Sequence, residues 1–489
     1  MSGLIHRMKR RYASIPKQVR AAFWFLICSF LQKGISNLST PIFTRLLSTE
    51  EYGNYETFNS WLSILTIFIS LHLYSGVYTR GLVKFEDDSN VYSSSLQGLT
   101  IILCVCWTLV YLVLRDFWNN LFGLTTIQMN SMIVMIWSTS VFCFWAAEQR
   151  VKYEYRKLVI ITLIVSIAKP VVGVIFVILA DDKVTARILG LVLVEIVCYS
   201  GLFIAHMIKG KVFYSKKYWK HALLFNIPLI PHYLSISVLS SSDRIMIRDM
   251  VGASEAGIYS LAYSISRIMI LFNTALTNTM TPWIYKKIKN EKIEDLNRVC
   301  VVSMTLIAAV NLLLIIFAPE VIRVFAPKSY SEAIYVIPPV AMSTFFAFSY
   351  NIFATFEFYF EKNKFIMIAS CISAVVNIIL NYFAIPIFGY IAAAYTTLLC
   401  YLIYAIAHYY MMNKICRKEF DNRVPFDTKI IVLISSAFML TGFMFMGTYK
   451  HLYVRIAIIL LVAVAAIINY KHILSTVKSY YTNIARRKE

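Results

Sequence analysis

The sequence predicts an all-α polytopic membrane protein with about fourteen transmembrane helices, and three observations carry that prediction. Of 489 residues, 59% are hydrophobic and 15% charged, with a mean hydropathy of +0.65. A soluble domain carries roughly 45–50% apolar and about 25% charged residues. Apolar runs of about 20 residues, the length that crosses a hydrocarbon core, recur from near residue 22 to near 473. Finally, Lys and Arg gather in alternate connections between those runs.

In chain order the runs fall at 22–44, 54–77, 94–114, 125–147, 158–180, 188–208 and 221–246, then at 257–284, 299–319, 332–357, 364–384, 388–412, 428–447 and 451–471. The basic start leads straight into the first run without a small-residue cleavage site, so it reads as a retained helix. With a cytoplasmic N-terminus, the even-numbered connections and both tails hold "RMKRR", Arg80/Lys84, "EQRVKYEYRK", "KGKVFYSKK", "KKIKNEK", "EKNK", "KICRK" and "ARRK". Each intervening connection is short and carries two Lys or Arg at most. The positive-inside rule therefore sets both termini in the cytoplasm. Basic cytoplasmic loops are the ordinary reading of the net charge of +21, which implies no nucleic-acid partner. Nine Cys lie singly through the spans, except Cys416 in a basic loop and the close Cys104/Cys106 pair; none has metal or redox spacing, so they read as small apolar fillers.

The chain repeats. "ISNLST" (35–40) and "ISVLSS" (236–241) lie 201 positions apart, and the corners "EYGNY" (51–55) and "EAGIY" (255–259) lie 204 apart, both of the form Glu-x-Gly-x-Tyr. A weaker match at 207 lays 156–170 over 363–377. By the charge count the first and seventh spans run the same way, so the copies are parallel about an axis along the membrane normal, as in transporters that rock around a central site. The expected organisation is an N-terminal lobe at 1–212, a C-terminal lobe at 213–414, each of six helices around a central cavity, and at 415–489 two extra helices with a basic tail.

An ionisable residue at the centre of a span costs about 2.5–3.5 kcal/mol on insertion scales and so needs a partner, water or a function. The deep ones here are mostly cationic: Lys33, Lys169 before Pro170, Arg244 and Arg267. Helical spacing sets Lys33, Asn37, Thr40 and Thr44 on one face of the first span, Tyr233, Ser237, Ser241, Arg244 and Arg248 on one face of the seventh, and Tyr263, Arg267, Thr274 and Asn278 on one face of the eighth. Polar stripes of this kind are what an aqueous cavity between two lobes requires. Arg45, Arg244 and Arg248 have the alternative of snorkelling to the headgroups. Asp243 and Glu195 are candidates for coupling an ion, with Glu56 and Glu357 weaker ones, while His232 and His408 read as satisfied core residues. Trp61, Trp145, Tyr233 and Tyr263 are candidates for stacking on sugar rings. Pro228 and Pro231 predict a bend in the seventh span between residues 228 and 232.

No nucleotide-binding, metallohydrolase or redox motif occurs, and the outward loops are too short for a catalytic domain. The expected work is gating and binding, without enzyme activity, metal or cofactor, unless H⁺ or Na⁺ acts as a coupling ion.

"NIILNYFAIPIFGYIAAAYTT" (377–397), "IPLIPHYLSISVLSSSDRIMIRDMVGASEAGIYSLAYSIS" (227–266) and "KGISNLSTPIFTRLLSTEEYGNY" (33–55) resemble the bacterial polysaccharide flippases, the O-antigen and capsule repeat-unit exporters of the multidrug and oligosaccharidyl-lipid exporter superfamily. The resemblance spans essentially the whole chain. One departure is Ala392, where the family often has a second Gly after Gly389. The resemblance implies two six-helix lobes with two extra helices, a bacterial plasma-membrane location, and transport of an isoprenoid-diphosphate-linked oligosaccharide to the outer leaflet, beside other polysaccharide-assembly membrane proteins. It maps a cation-lined cavity onto Lys33, Arg244, Arg267 and Lys169, and a diphosphate is an anion that such cations suit. The alternatives are a multidrug cation antiporter, a cell-wall lipid precursor flippase and a glycan-assembly scaffold that does not transport.

Overall fold

The computed structural model describes residues 17–458 and 460. Among them there is no strand. The first half of the chain builds α1 (Lys17–Leu46), α2 (Thr49–Ser70), α3 (Val77–Lys84), α4 (Ser89–Val113), α5 (Arg115–Phe122), α6 (Thr126–Val151), α7 (Tyr155–Leu179) and α8 (Lys183–Gly210). Then follow α9 (Lys216–Asn226), α10 (Ile230–Met250), α11 (Ala253–Ser266), α12 (Met269–Lys289), α13 (Leu296–Ile316) and α14 (Ala318–Phe325). The last are α15 (Ile337–Tyr359), α16 (Asn363–Phe388), α17 (Ala392–Glu419) and α18 (Thr428–Gly447).

Each of the first thirteen expected spans falls on helix, while the fourteenth (451–471) and the basic tail lie outside the described residues but for residues up to 458 and 460. By length and composition nine described helical segments are apolar enough to cross a bilayer, or ten when a segment bent by 46° at residue 336 counts as one. Fourteen is not reached on that criterion. The helices that miss it are instructive: α1 and α2 are long enough but too polar, and the eighth expected span is broken into α11 and α12 at Arg267 and Ile268. Where its prolines stand the seventh span tightens into a 3₁₀ turn at Ile227–Leu229 between α9 and α10, and Lys216–Met250 runs on as one spanning segment.

Local chemistry sets the helix starts. Ser48 and Glu51 form a reciprocal capping box that opens α2, and Thr125 with Gln128 does the same for α6. Asp182 caps α8 by accepting from the Thr185 amide.

Within the first half α8 packs against α4, α6 and α7, and α1 lies on α7. In the second half α10 packs on α16, and α17 on both α15 and α16; α18 lies on α13. The halves meet where α2 runs along α10 and α11. At the start of that contact the two Glu-x-Gly-x-Tyr corners touch each other. A Cβ on Gly53 would run into the Ala253 carbonyl oxygen, and one on Gly257 into that of Thr49. Glycine is required at both positions because backbone meets backbone. Both pairs, Gly53/Gly257 and Thr49/Ala253, are 204 positions apart, the reciprocal pattern of a two-fold contact.

The same end carries two further cross-contacts that mirror one another. Arg45, in the last turn of α1, donates to the Val324 carbonyl at 2.9 Å, at the C-terminal end of α14. Arg248, near the end of α10, donates to the Phe122 and Gly123 carbonyls at 3.1 and 2.9 Å, at the C-terminal end of α5. The arginines are 203 positions apart, and α5 and α14 have eight residues each. A cation at a helix C-terminus satisfies orphan carbonyls and faces the negative end of the helix dipole.

Candidate functional site

Between α2, α6 and α10 lies a cavity of about 440 Å³. Asn59, Ser63 and Thr66 line it from α2 at i, i+4 and i+7, Thr139 from α6, and Tyr233, Ser237 and Ser240 from α10. His72 and Tyr74, in the turn after α2, close the end away from the paired glycines. Of the predicted site residues, Tyr233 and Ser237 line this cavity; Ser241 is buried beside it on α10.

Toward the paired glycines the cavity meets a cation cluster. Arg244 donates to the Ser240 carbonyl at 2.8 Å and pairs with Glu56 of α2 at 3.8 Å. Its guanidinium lies 4.8 Å from the centre of the Tyr263 ring, and that of Arg267 lies 5.9 Å from the same centre. Arg244 is 7% exposed, whereas Arg267 is exposed, at the break between α11 and α12. The structure therefore gathers three of the predicted residues, Arg244, Tyr263 and Arg267, around one ring, within reach of cation–π attraction.

Lys169 and Glu195, expected in separate roles, form one ion pair at 2.6 Å. Glu195 is 1% exposed and also accepts from Ser138 and, at 3.3 Å, from Thr139, so the pair stands behind the Thr139 wall of the cavity. Asp243 is elsewhere. It faces away from Arg244 into the junction of α10, α11, α16 and α17, accepting from Tyr259 (2.6 Å), Asn381 (2.7 Å) and Thr397 (2.8 Å). Asn377 links Asn381 to Thr397 and accepts from Ser242. Among the described residues no three His, Cys, Asp or Glu side chains gather as a metal site.

On α1 the predicted stripe changes character along its length. Lys33 is exposed, Asn37 and Thr40 are half-buried, and Thr44 is buried and donates to the Phe325 carbonyl at 2.7 Å. On the eighth span the break ends the stripe: Tyr263 is buried in α11, while Thr274 and Asn278 are exposed on α12. Trp61 packs on Phe122 and Trp145 is buried, so neither lines the cavity.

Two buried Glu–His pairs repeat between the halves. Glu148 of α6 meets His206 of α8 at 2.8 Å, and Glu357 of α15 meets His408 of α17 at 2.8 Å, each joining equivalent spans of its half. His408 is thus a partnered core residue, whereas His232 is half-buried and bonded to Ser370 at 3.2 Å.

Sequence reasoning missed Asn59, Ser63, Thr66, His72 and Thr139. The first three carry the very stripe spacing used on other helices, within a span read as plain membrane helix.

Residues 19–287 match the sequence pattern of a family described as "Polysaccharide biosynthesis protein", and residues 228–383 that of MatE. The Lsg locus putative protein 1 of Haemophilus influenzae is 23% identical over 375 residues, covering 72% of this chain and 88% of that protein. In fold the chain is similar to the lipid II flippase MurJ in its inward closed conformation, with a TM-score of 0.70 at 14% identity, covering 91% of this chain and 99% of that one. It is also similar to an inward-facing multidrug resistance MATE family transporter, with a TM-score of 0.60 at 13% identity over 80% of this chain and 96% of that one.

Proposed function

The chain belongs to the polysaccharide biosynthesis protein family, a family of multi-pass membrane flippases and transporters rather than enzymes, and on that premise we propose that it moves an isoprenoid-diphosphate-linked oligosaccharide from the cytoplasmic to the outer leaflet of the bacterial plasma membrane. The observation that carries this reading is the line from exposed Arg267 through Tyr263 to Arg244 and on to the cavity at Ser240. Arg267 takes the diphosphate, since guanidinium binds phosphate oxygens in bidentate fashion. Arg244 follows once it leaves Glu56, and Lys33 supplies further attraction from α1. Lys169 is held by Glu195 and enters only when that pair opens.

Transport proceeds by alternating access of two lobes, 1–212 and 213–414, with 415–489 as an appendage and both termini cytoplasmic. The paired glycines and arginine contacts then mark the outer side. A membrane potential negative inside favours outward passage of an anion by about 2.3 kcal/mol per charge per 100 mV. Asp243 or Glu195 couples H⁺ or Na⁺ to the return step. Other polysaccharide-assembly membrane proteins are the expected neighbours.

A multidrug cation antiporter of the same architecture wants deep carboxylates open to a cationic drug. Here Glu56 and Glu195 are paired with cations and Asp243 is filled by neutral donors. The test is reconstitution in liposomes with an isoprenoid-diphosphate-linked oligosaccharide under an imposed potential. Wild type should flip it and Arg267→Ala should lose flipping while remaining folded. Equal rates in the two proteins refute the assigned site, and exchange of a cationic dye for protons by a protein that leaves the lipid unmoved brings the antiporter forward.

A further inference from the structure

The cations account for the diphosphate but leave the 440 Å³ cavity beside them without a task. Its lining carries no Asp, Glu, Lys or Arg, and the charges nearest its walls, Arg244 with Glu56 and Lys169 with Glu195, are already paired. What it offers is neutral: hydroxyls of Ser63, Ser237 and Tyr233, the amide of Asn59 and an aromatic floor.

That floor is built at a conformational cost. Leu71 and His72 have φ of 48° and 52°, the left-handed region that side chains other than Gly seldom occupy. Both are held there by Asn226, fully buried in the link between the halves, whose amide donates to the Leu71 and His72 carbonyls at 2.9 and 2.8 Å. The result is that the His72 ring lies between those of Tyr74 and Tyr233, at 4.7 and 4.6 Å. Its Nδ1 is buried with no hydrogen-bond partner among the described residues. Strain kept in place by surrounding structure is a mark of functional sites, and a buried unpartnered nitrogen is a vacancy for a ligand group.

We propose that this cavity is a sugar subsite that reads an uncharged pyranose of the cargo, with His72, Tyr233 and Asn59 as its specificity-determining residues; the proposal rests on the flippase reading above. Aromatic rings meet the C–H face of the sugar, and the amide, hydroxyl and imidazole nitrogen meet its hydroxyls. The volume lies at the small end of ligand pockets, which run about 300–1,000 Å³, so the subsite takes about one or two rings and not a whole repeat unit. An anionic sugar is rejected, because its carboxylate would enter a chamber with no unpaired cation in its wall.

The test uses the full-length protein in lipid nanodiscs and three probes: a short-chain polyprenyl diphosphate without sugar, the same lipid bearing N-acetylglucosamine, and the same lipid bearing glucuronate. Binding is read by thermophoresis. The neutral sugar should tighten binding about tenfold over the sugar-free lipid, the worth of about one well-made hydrogen bond, and glucuronate should not tighten it. His72→Asn, which keeps a residue tolerant of the left-handed region, and Tyr233→Phe, which keeps the ring, should each bring the ratio of sugar-bearing to sugar-free affinity close to one. A wild-type ratio of one, tighter binding of glucuronate, or variants that keep the full ratio overturn the subsite while leaving the flippase intact. If the sugar-free diphosphate does not bind wild type at all, the flippase reading itself falls and the subsite with it.

Discussion

The two arginine contacts give a direct handle on the closed junction. Arg45→Gln and Arg248→Gln together remove three hydrogen bonds between the halves, those to Val324, Phe122 and Gly123, and nothing else that crosses there. Hydrogen bonds from a charged donor contribute about 1.5–3 kcal/mol when well shielded. Both arginines are partly open to solvent, so about 1 kcal/mol per bond is the fitting figure, or about 3 kcal/mol in all. A change of about 3 kcal/mol is roughly hundredfold, enough to carry a 99:1 mixture of closed and open forms close to 1:1. Nitroxide labels at Phe117 of α5 and just before α14 at Phe317, both exposed, placed in a cysteine-free background, report the separation by double electron–electron resonance. The double variant should show a second, longer distance of comparable weight, and each single variant a minor one. An unchanged distribution in the double variant refutes the latch. So does a single variant that opens as far as the double, since each arginine holds its own carbonyls.

Glu195→Gln leaves Lys169 facing a neutral amide, and because Lys169 retains some solvent the loss should be about 1–2 kcal/mol, below the full cost of breaking a buried pair. A thermal scan in detergent checks this, and Lys169→Met added to Glu195→Gln should recover most of the fall. Gly257→Ala sets a Cβ against the Thr49 carbonyl and should destabilise the closed junction by about 1–3 kcal/mol, as overpacking does, read with the same pair of labels; Gly34→Ala, whose Cβ meets nothing, is the control.

Span positions were legible because apolar length is a strong signal, and the 3₁₀ turn before α10 was legible because proline leaves a mark. Arg244 and Arg267 meet at the Tyr263 ring, although the stripe drawn from Tyr263 and Arg267 on to Thr274 and Asn278 ends at the α11–α12 break. Other features had no such mark. The α11–α12 break carries neither Gly nor Pro at its centre, so the eighth span read as continuous. Lys169 and Glu195 sit 26 positions apart on different helices, and helical spacing within one span is blind to a pair across two. His72 owes its position to a backbone conformation fixed by Asn226, a residue 154 positions away. The acceptors of both arginine latches are backbone carbonyls, which every residue possesses.

The meeting of Gly53 with Gly257 has a genetic side as well. In a dimer of separate identical chains, a change at a self-facing position arrives twice at the same contact, and its clash is doubled at once. Carried in one reading frame, the two glycines are separate loci: either can be replaced alone, so the contact can be explored one Cβ at a time and the two faces are free to become unequal. A transporter that must tell one leaflet from the other, and one end of its cargo from the other, has use for halves that share a fold and yet can drift apart residue by residue.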